Sequence, residues 1–439
     1  MPRSTILTLA LSACLHGQTA DDWKRIVERL DRLEAENKQL KREVRELRTQ
    51  VGPPPVEEAA PNLEERAAVQ EKRVEEHEQT KVETAHKSPL RVSGMALMNT
   101  FYNTRHSNGN DTPTTASLNG GRAVAGASVR QSVIGLEYTG SPSILGGTVK
   151  GSIFADFFDG PAEGATLPWR LRTASIEIGW KSRSITVGVE KPIFNPREPN
   201  SLMQVGISPY TSSGNLWRWI PQARFDQRFQ LGANTKFTAQ VGVVQTLEDG
   251  AIPVAAQANL QRRRPGAEGR FLLSHAFGEF KRIEVAPGFH ASTSHLGGQS
   301  APSNLFSLDW FVNPLEKLEI TGVFFKGQNT SIFGALRQGF RVLPDGRLLP
   351  IGSAGGWSQL SYLATGRLTF NVLAGVHDDR NGDLLRGMVE QNRSGSANAM
   401  FRIAPNVVVS FEAMQTRTRY FQIGQRLNNR YDLAIAYMF

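Results

Sequence analysis

The feature that most constrains the fold is a two-residue alternation of apolar and polar side chains, which recurs from about residue 89 to the end of the chain. The last segment shows it best, because its odd-numbered positions are all apolar or aromatic: Tyr431, Leu433, Ile435, Tyr437 and Phe439. A period of two places successive side chains on opposite faces of a β-strand. The intervening positions are mostly small or polar, which is typical of strands with one face in lipid.

In other alternating segments, the face opposite the apolar one carries charged side chains. Lys150 and Asp156 share one face of such a segment, and Arg224, Asp226 and Arg228 share a face of another. Unpaired charges are costly in a dry protein core, so we expect this face to line a water-filled lumen. No run of about 18 apolar residues follows the first twenty residues, which excludes a helical membrane span.

The spacing of the alternating segments predicts an all-β transmembrane barrel of about 16 antiparallel strands over residues 89–439. We place the strands near 90–104, 125–138, 147–158, 168–180, 183–191, 221–231, 235–247, 268–279, 282–292, 302–312, 316–327, 357–365, 366–376, 394–403, 406–416 and 427–439. Long connections (105–124, 192–220, 248–267, 328–356, 377–393) alternate with short ones, as in outer-membrane barrels. The sheet must close, because an open edge would leave unpaired backbone groups in hydrocarbon. Sixteen strands leave an aqueous channel.

Residues 1–20 are predicted to be a signal peptide, with Arg3 before an apolar run from Ile6 to Leu15. Cys14 is the only cysteine. It ends a Leu-Ser-Ala-Cys stretch that resembles a bacterial lipoprotein box, so lipidation of Cys14 is an alternative to simple cleavage. Either interpretation predicts export by a bacterium. The mature chain has no cysteine pair for a disulfide or a metal site.

Residues 21–52 are predicted to form an N-terminal α-helical coiled coil in the periplasm. Its apolar seam alternates spacings of three and four without a break, and the oligomerisation positions are Ile26, Leu30, Leu33, Asn37, Leu40, Val44 and Leu47. Arg29–Glu34 resembles a short pattern of three-stranded coiled coils, so a trimer is favoured over a dimer or a single solvated helix. Three prolines then end the helix, and the Glu-rich residues 53–88 are predicted to be a linker.

Three segments of the barrel resemble a known family. Gly151–Phe158 contains an Asp-Phe-Phe motif, Leu171–Glu177 a Leu-Arg-x-Ala motif, and Arg218–Phe225 an Arg-rich strand start. They are similar to segments of the DcaP-like and phosphate-selective (O/P-type) trimeric outer-membrane porins, whose DcaP-like members also carry an N-terminal coiled coil. The resemblance implies a homotrimer that passes small anionic solutes such as dicarboxylates. Gly188–Lys191 departs from the family's usual fifth strand.

Charge indicates where such a pore would be narrow. The chain carries a net charge of +9, and residues 89–439 contain 35 basic against 24 acidic side chains. The long connection 192–220 follows the fifth strand, and in sixteen-stranded porins the loop there folds inward to form the narrowest point. We therefore predict an anion-leaning constriction, with ordinary loop and headgroup charges as the alternative. The predicted pore-lining and constriction residues are Lys150, Asp156, Glu190, Lys191, Arg197, Arg218, Arg224, Asp226, Arg228 and Lys236.

Other functions find little support in the sequence. The eight histidines show no Ser-His-acid spacing and no Gly-x-Ser-x-Gly motif occurs, so we predict no enzymatic activity and no cofactor. Asp378, Asp379 and Asp383 favour a turn over a weak calcium site. The basic run Arg262–Arg264 favours solvation or contact with lipid A phosphate over nucleic-acid binding.

The predicted function is therefore an outer-membrane porin for passive diffusion of small hydrophilic, anionic solutes (dicarboxylates, phosphate or similar). Its predicted partners are two further copies of the chain, the lipid bilayer, lipopolysaccharide and the barrel-assembly machinery, for which Tyr437 and Phe439 form the C-terminal signal. The alternative is a structural barrel whose coiled coil tethers the outer membrane to the cell wall.

Overall fold

The computed structural model describes residues 89–105, 109–159, 168–247, 259–278, 280–336 and 338–439. The predicted signal peptide, coiled coil and linker lie outside the described residues. Among the described residues no helix is long and apolar enough to cross a membrane.

Nineteen strands form in the described part of the chain, and two short 3₁₀ turns, Ser331–Phe333 and Asn381–Asp383, lie between them. The strands are β1 (Leu90–Asn103), β2 (Val124–Ser128), β3 (Val133–Ile144), β4 (Gly147–Asp156), β5 (Arg170–Gly179), β6 (Arg183–Glu190), β7 (Ile220–Gln230), β8 (Thr235–Val244), β9 (Gly266–Ala276), β10 (Arg282–Leu296), β11 (Gln299–Leu315), β12 (Leu318–Gln328), β13 (Phe340–Val342), β14 (Leu348–Pro350), β15 (Gly352–Leu363), β16 (Leu368–Asp379), β17 (Val389–Ala404), β18 (Val407–Tyr420) and β19 (Gly424–Met438).

The sheet closes into a barrel of sixteen antiparallel strands, as the alternation predicts. Strand β1 pairs with β19 from Met95–Met438 to Asn103–Arg430, which joins the two ends of the sheet. Strands β2 and β3 both pair with β1, so they are two halves of one interrupted strand. The β13–β14 hairpin is separate from the barrel wall, which leaves sixteen wall strands.

The two faces of the wall differ as the period of two requires. On β16 the side chain of Val372 is 57 % exposed on the outside, whereas its neighbour Asn371 is 1 % exposed on the inside. On β19 Leu433 is 52 % exposed and Asp432 only 2 %. The apolar side therefore faces outward and the polar side faces the lumen, the reverse of a water-soluble barrel.

Connections are mostly short at one end of the barrel and long at the other, but two connections at the long end are shorter than predicted. Strands β18 and β19 extend until only residues 421–423 join them. The sequence suggests a nine-residue connection between the ninth and tenth predicted strands, but β10 and β11 extend until only Gly297 and Gly298 join them. Both glycines have positive φ, 57° and 81°, which a two-residue hairpin turn of this kind requires. The connection after β6, residues 191–219, is long instead, and it enters the lumen.

Candidate pore constriction

Residues 191–219, called here the inward loop, carry a small apolar core of their own. Ile193, Phe194 and Leu216 are buried against Phe325 on β12 and Phe333 in the 3₁₀ turn between β12 and β13. The rings of Phe194 and Phe333 are perpendicular, with centroids 5.0 Å apart. This packing fixes the loop to the inner face of the wall.

A group of five charges fixes the loop to β9–β11. Arg197 Nε lies 2.5 Å from Asp309 Oδ1, and Arg197 Nη2 lies 2.8 Å from Glu284 Oε2. Asp309 also binds Arg270, whose Nε is 2.7 Å away, and Glu284 Oε1 lies 3.4 Å from Arg282 Nε. In this Asp309 cluster (Arg197, Arg270, Arg282, Glu284 and Asp309) Arg197 contacts both carboxylates, and the Asp309 carboxylate is fully buried.

A histidine network holds the start of the loop. The backbone N–H of Ile193 donates to Glu268 Oε2 at 2.7 Å, while Glu268 Oε1 lies 2.9 Å from His290 Nδ1. His290 Nε2 is 2.7 Å from Ser292 Oγ. The connectivity resembles a catalytic triad, but all three side chains are buried and Glu268 is occupied by the loop backbone. The network therefore positions the loop.

On the wall across the lumen from the Asp309 cluster, two arginines share a single carboxylate. Arg170 Nη2 and Arg172 Nη1, both from β5, lie 2.6 Å and 3.0 Å from the same Asp156 Oδ2. The side chains of Arg170 and Arg172 are 25 % and 15 % exposed, whereas that of Asp156 is fully buried. In this Asp156 cluster (Asp156, Arg170 and Arg172) two guanidinium groups reach the lumen and their one carboxylate lies behind them.

The Asp156 cluster also contacts the inward loop. Arg172 Nη1 donates to the carbonyl of Val205 at 2.9 Å, and Arg170 donates to the carbonyl of Gly206. The guanidinium of Arg172 lies 4.6 Å from the ring centre of Trp219, at the far end of the loop. The cluster therefore forms one side of the space that the loop narrows.

A glutamine at the interruption between β2 and β3 binds the same stretch of loop. Gln131 Oε1 accepts from the backbone N–H groups of Val205 (2.6 Å) and Gly206 (2.9 Å), and Gln131 Nε2 donates to the carbonyl of Met203 at 3.2 Å. The amide is completely buried. The alternation of side chains predicts one continuous strand over 125–138, but the break at 129–132 lets the Gln131 side chain reach the loop.

Tyr210 anchors the next part of the loop to β17. Its hydroxyl donates to Ser396 Oγ at 2.9 Å, and Ser213 Oγ lies 2.8 Å from Ser394 Oγ. Burial raises the pKa of the Tyr210 hydroxyl above its usual range, so the hydroxyl keeps its proton. The loop is thus fixed to the wall at several points around the lumen.

The predicted constriction residues fall into groups. Lys150, Glu190 and Arg224 line one cavity of about 710 Å³. Lys191 pairs with Glu198 on the loop at 2.8 Å, and Arg218 is exposed beside Trp219.

Five predicted residues have other surroundings. Asp156 and Arg197 belong to the two clusters already described. Asp226 is buried and accepts from Gln240 at 3.1 Å. Arg228 and Lys236 are exposed toward the short-turn end, where Arg228 donates to the carbonyl of Trp180 at 3.2 Å.

Several residues that hold the loop are absent from the predicted set: Arg170, Asp309, Glu284, Glu268 and Gln131. Among the loop contacts that the prediction missed, only Arg172 lies in a motif that is visible in the sequence, the Leu-Arg-x-Ala segment. At the predicted turn, Asn381–Asp383 form a 3₁₀ turn. Among the described residues no group of three or more His, Cys, Asp or Glu side chains is arranged to hold a metal.

Comparison with known proteins reveals relatives in structure alone. No family model and no curated protein matches the sequence. The crystal structure of the outer membrane channel DcaP of Acinetobacter baumannii superposes with a TM-score of 0.66 at 13 % identity, over 80 % of this chain and 97 % of that one. An anion-selective porin from Comamonas acidovorans gives a TM-score of 0.53 at 11 % identity, over 80 % and 99 %. The chain therefore has the sixteen-stranded fold of these outer-membrane porins.

Proposed function

We propose that the protein is an outer-membrane porin whose water-filled channel admits small hydrophilic, anionic solutes, such as dicarboxylates or phosphate, by passive diffusion. The closed barrel, its apolar outer face and its polar inner face support a channel in a bilayer. Its fold, shared with DcaP, supports the same assignment.

The observation that carries the anion preference is the unbalanced Asp156 cluster. A solute that passes the inward loop meets the exposed parts of Arg170 and Arg172, while the Asp156 carboxylate is fully buried. Selectivity in a pore follows the charges that line its narrow part. Most other cations in this region have partners, since Lys191 pairs with Glu198 and Arg197 with Asp309 and Glu284. The description of the Comamonas porin as anion-selective agrees with this preference.

The proposal includes the assembly. Three copies would associate through coiled coils of residues 21–52 in the periplasm, behind a signal peptide of residues 1–20 and joined to the barrel by a linker of residues 53–88. The barrel would lie in the bacterial outer membrane, with Tyr437 and Phe439 at the end that the barrel-assembly machinery recognises.

Planar-bilayer recording of the refolded full-length protein tests the proposal. We expect discrete open steps and, in a potassium chloride gradient, a reversal potential of the sign that chloride preference gives. Cation preference would contradict the anionic solutes. A bilayer that contains folded protein but shows no open steps would favour the structural barrel that tethers the membrane to the cell wall.

A further inference from the structure

Two arginines face each other on the outside of the barrel. Arg393 on β17 and Arg417 on β18 are directly opposite in the register of the two strands, and both side chains are exposed on the outward face. Like charges at directly opposite positions of a sheet repel each other. In the part of the chain that the structure describes, neither arginine pairs with a carboxylate, and Arg417 Nε donates only to Gln415 Oε1, at 2.7 Å. The pair therefore presents two cationic groups to the barrel's surroundings.

The height of this pair on the barrel matches a membrane surface. Ile403, near the opposite end of β17, is 49 % exposed and lies ten positions from Arg393. At about 3.3 Å per residue and a strand tilt of about 40°, this distance spans about 25 Å, which is the height of the apolar band of such barrels. Arg393 and Arg417 thus lie where the apolar band ends, on the side of the long connections.

Apolar grooves run along the outer face below the pair. One groove of about 770 Å³ has Arg393, Gln391 and Asp378 at its polar end and Trp310, Phe324, Ala354 and Ala374 among its walls. A second groove of about 460 Å³ begins at Gly395, two residues from Arg393, and is lined by Val372, Ala397, Ala413 and Tyr431. Small side chains leave these grooves open between larger apolar neighbours. A cationic pair above apolar grooves fits an amphiphile with an anionic head and hydrocarbon tails.

We propose that Arg393 and Arg417 bind the phosphate of an outer-leaflet lipid, such as the lipid A part of lipopolysaccharide, whose acyl chains occupy the grooves below. Guanidinium groups bind phosphate oxygens through paired, charge-assisted hydrogen bonds. The site rests on the proposed location of the barrel in the outer membrane.

A second copy of the chain fits this face less well. Glu390 lies 3.4 Å from Arg419, and Asp378, which lines the first groove, accepts from Gln391. Farther down, Phe411 and Leu433 are 53 % and 52 % exposed, so the face continues into the apolar band. A phosphate from the leaflet supplies an anion for the two arginines at this level.

The test is lipid binding to the refolded protein in detergent, measured by native mass spectrometry with bisphosphorylated lipid A. We compare R393Q/R417Q with R367Q/R402Q, a control that removes two neighbouring exposed arginines at the short-turn end of β16 and β17. We expect about thirtyfold weaker binding for R393Q/R417Q, from about fivefold per basic residue at an anionic surface, and no change for the control. Dephosphorylated lipid A should bind all forms equally weakly, and inorganic phosphate at the same concentration should not displace lipid A. Retained heat-modifiable migration on gels shows that each variant is folded.

Equal lipid A binding by wild type and R393Q/R417Q would overturn the proposal. A R393Q/R417Q variant that keeps its lipid but loses its oligomeric mass would also overturn it, in favour of a contact between copies. Bilayer recordings on the same samples separate this result from the proposed function. Open channels without phosphate-dependent binding refute only the lipid site, and silent channels that still bind the lipid refute only the porin activity.

Discussion

The Asp309 cluster and the Asp156 cluster hold the inward loop on two walls of the barrel. Both are built from arginines and carboxylates, but they have different effects on the lumen. In the Asp309 cluster three arginines share two carboxylates, and Arg197 of the loop contacts both of them. In the Asp156 cluster two arginines share one buried carboxylate and stay partly exposed. The first arrangement gives the arginine of the loop two anions. The second fixes the loop and also leaves positive charge beside the path. The number of carboxylates that each guanidinium group contacts therefore separates anchoring from selectivity.

The largest effect is expected from Asp309→Asn. The substitution keeps the shape of the side chain but leaves Arg197 and Arg270 with Glu284 as their remaining anion, and breaking a buried ion pair costs about 3–5 kcal/mol. We expect a loss of this size in the free energy of unfolding in urea, measured by tryptophan fluorescence in detergent micelles. Asp345→Asn is the control, because Asp345 and its partner Arg347 are exposed. Equal effects of the two variants would contradict the role of the Asp309 cluster.

Arg170→Gln with Arg172→Gln should change selectivity. Each charge about 8 Å away in water-like surroundings lowers the free energy of an anion and raises that of a cation by about 0.5 kcal/mol, so we expect the anion-to-cation permeability ratio to fall about thirtyfold. Reversal potentials in a salt gradient measure it. The matched control, Arg170→Lys with Arg172→Lys, keeps both charges and should keep most of the ratio. An unchanged ratio in the glutamine variant would show that the Asp156 cluster does not set selectivity.

Gln131→Leu tests whether the loop needs an uncharged anchor beside the Asp156 cluster. The change leaves the N–H groups of Val205 and Gly206 without their acceptor, at a cost of about 1–3 kcal/mol for an unsatisfied buried group. Hydrogen exchange of peptides that cover 203–206 should accelerate, while peptides of β19 should not change. Gln227→Leu removes a half-buried glutamine near a short turn and serves as the control. Unaltered exchange at 203–206 would mean that the arginines alone hold this stretch.

The smallest effect is expected from Tyr210→Phe, which removes one hydrogen bond to Ser396, worth about 1 kcal/mol. Because burial raises the pKa of Tyr210, the folded state retains a proton that the unfolded chain releases above about pH 10. The stability that this hydroxyl contributes is thus present at neutral pH and falls as the pH rises past 10. In urea unfolding at pH 8 and pH 11, the wild type should have a larger free energy of unfolding than the variant only at pH 8. A difference that grows at pH 11 would contradict this assignment.

The sequence predicts the barrel wall well because its signal is local. Alternation within ten residues is sufficient to find strands such as β16 and β19, and closure follows from the cost of an open edge in lipid. Strand ends are less well predicted, since β17 begins at Val389 rather than near 394 and β10 reaches Leu296. Polar residues at the membrane surface carry no alternation signal, although the backbone ladder continues through them.

The site is less predictable because its contacts are distant in sequence. Arg197 and Asp309 are separated by 112 positions, and only the register of intervening strands brings them together. The sequence places Arg197 in an inward loop but does not show that its charge is balanced there. Conversely, Arg172 is visible in a motif, whereas its exposure depends on where Val205 and Trp219 fold back.

The seam between β1 and β19 has a consequence for how the molecule is made. Met95 and Met438 are paired across this seam. The barrel therefore cannot close until nearly all of residues 89–439 are available to fold. Every shorter array of strands would expose two rows of bare amide and carbonyl groups to hydrocarbon, at a cost of several kcal/mol for each unsatisfied group. Half-finished rings should therefore be too unstable to accumulate in a bilayer, and insertion should occur as a single concerted event.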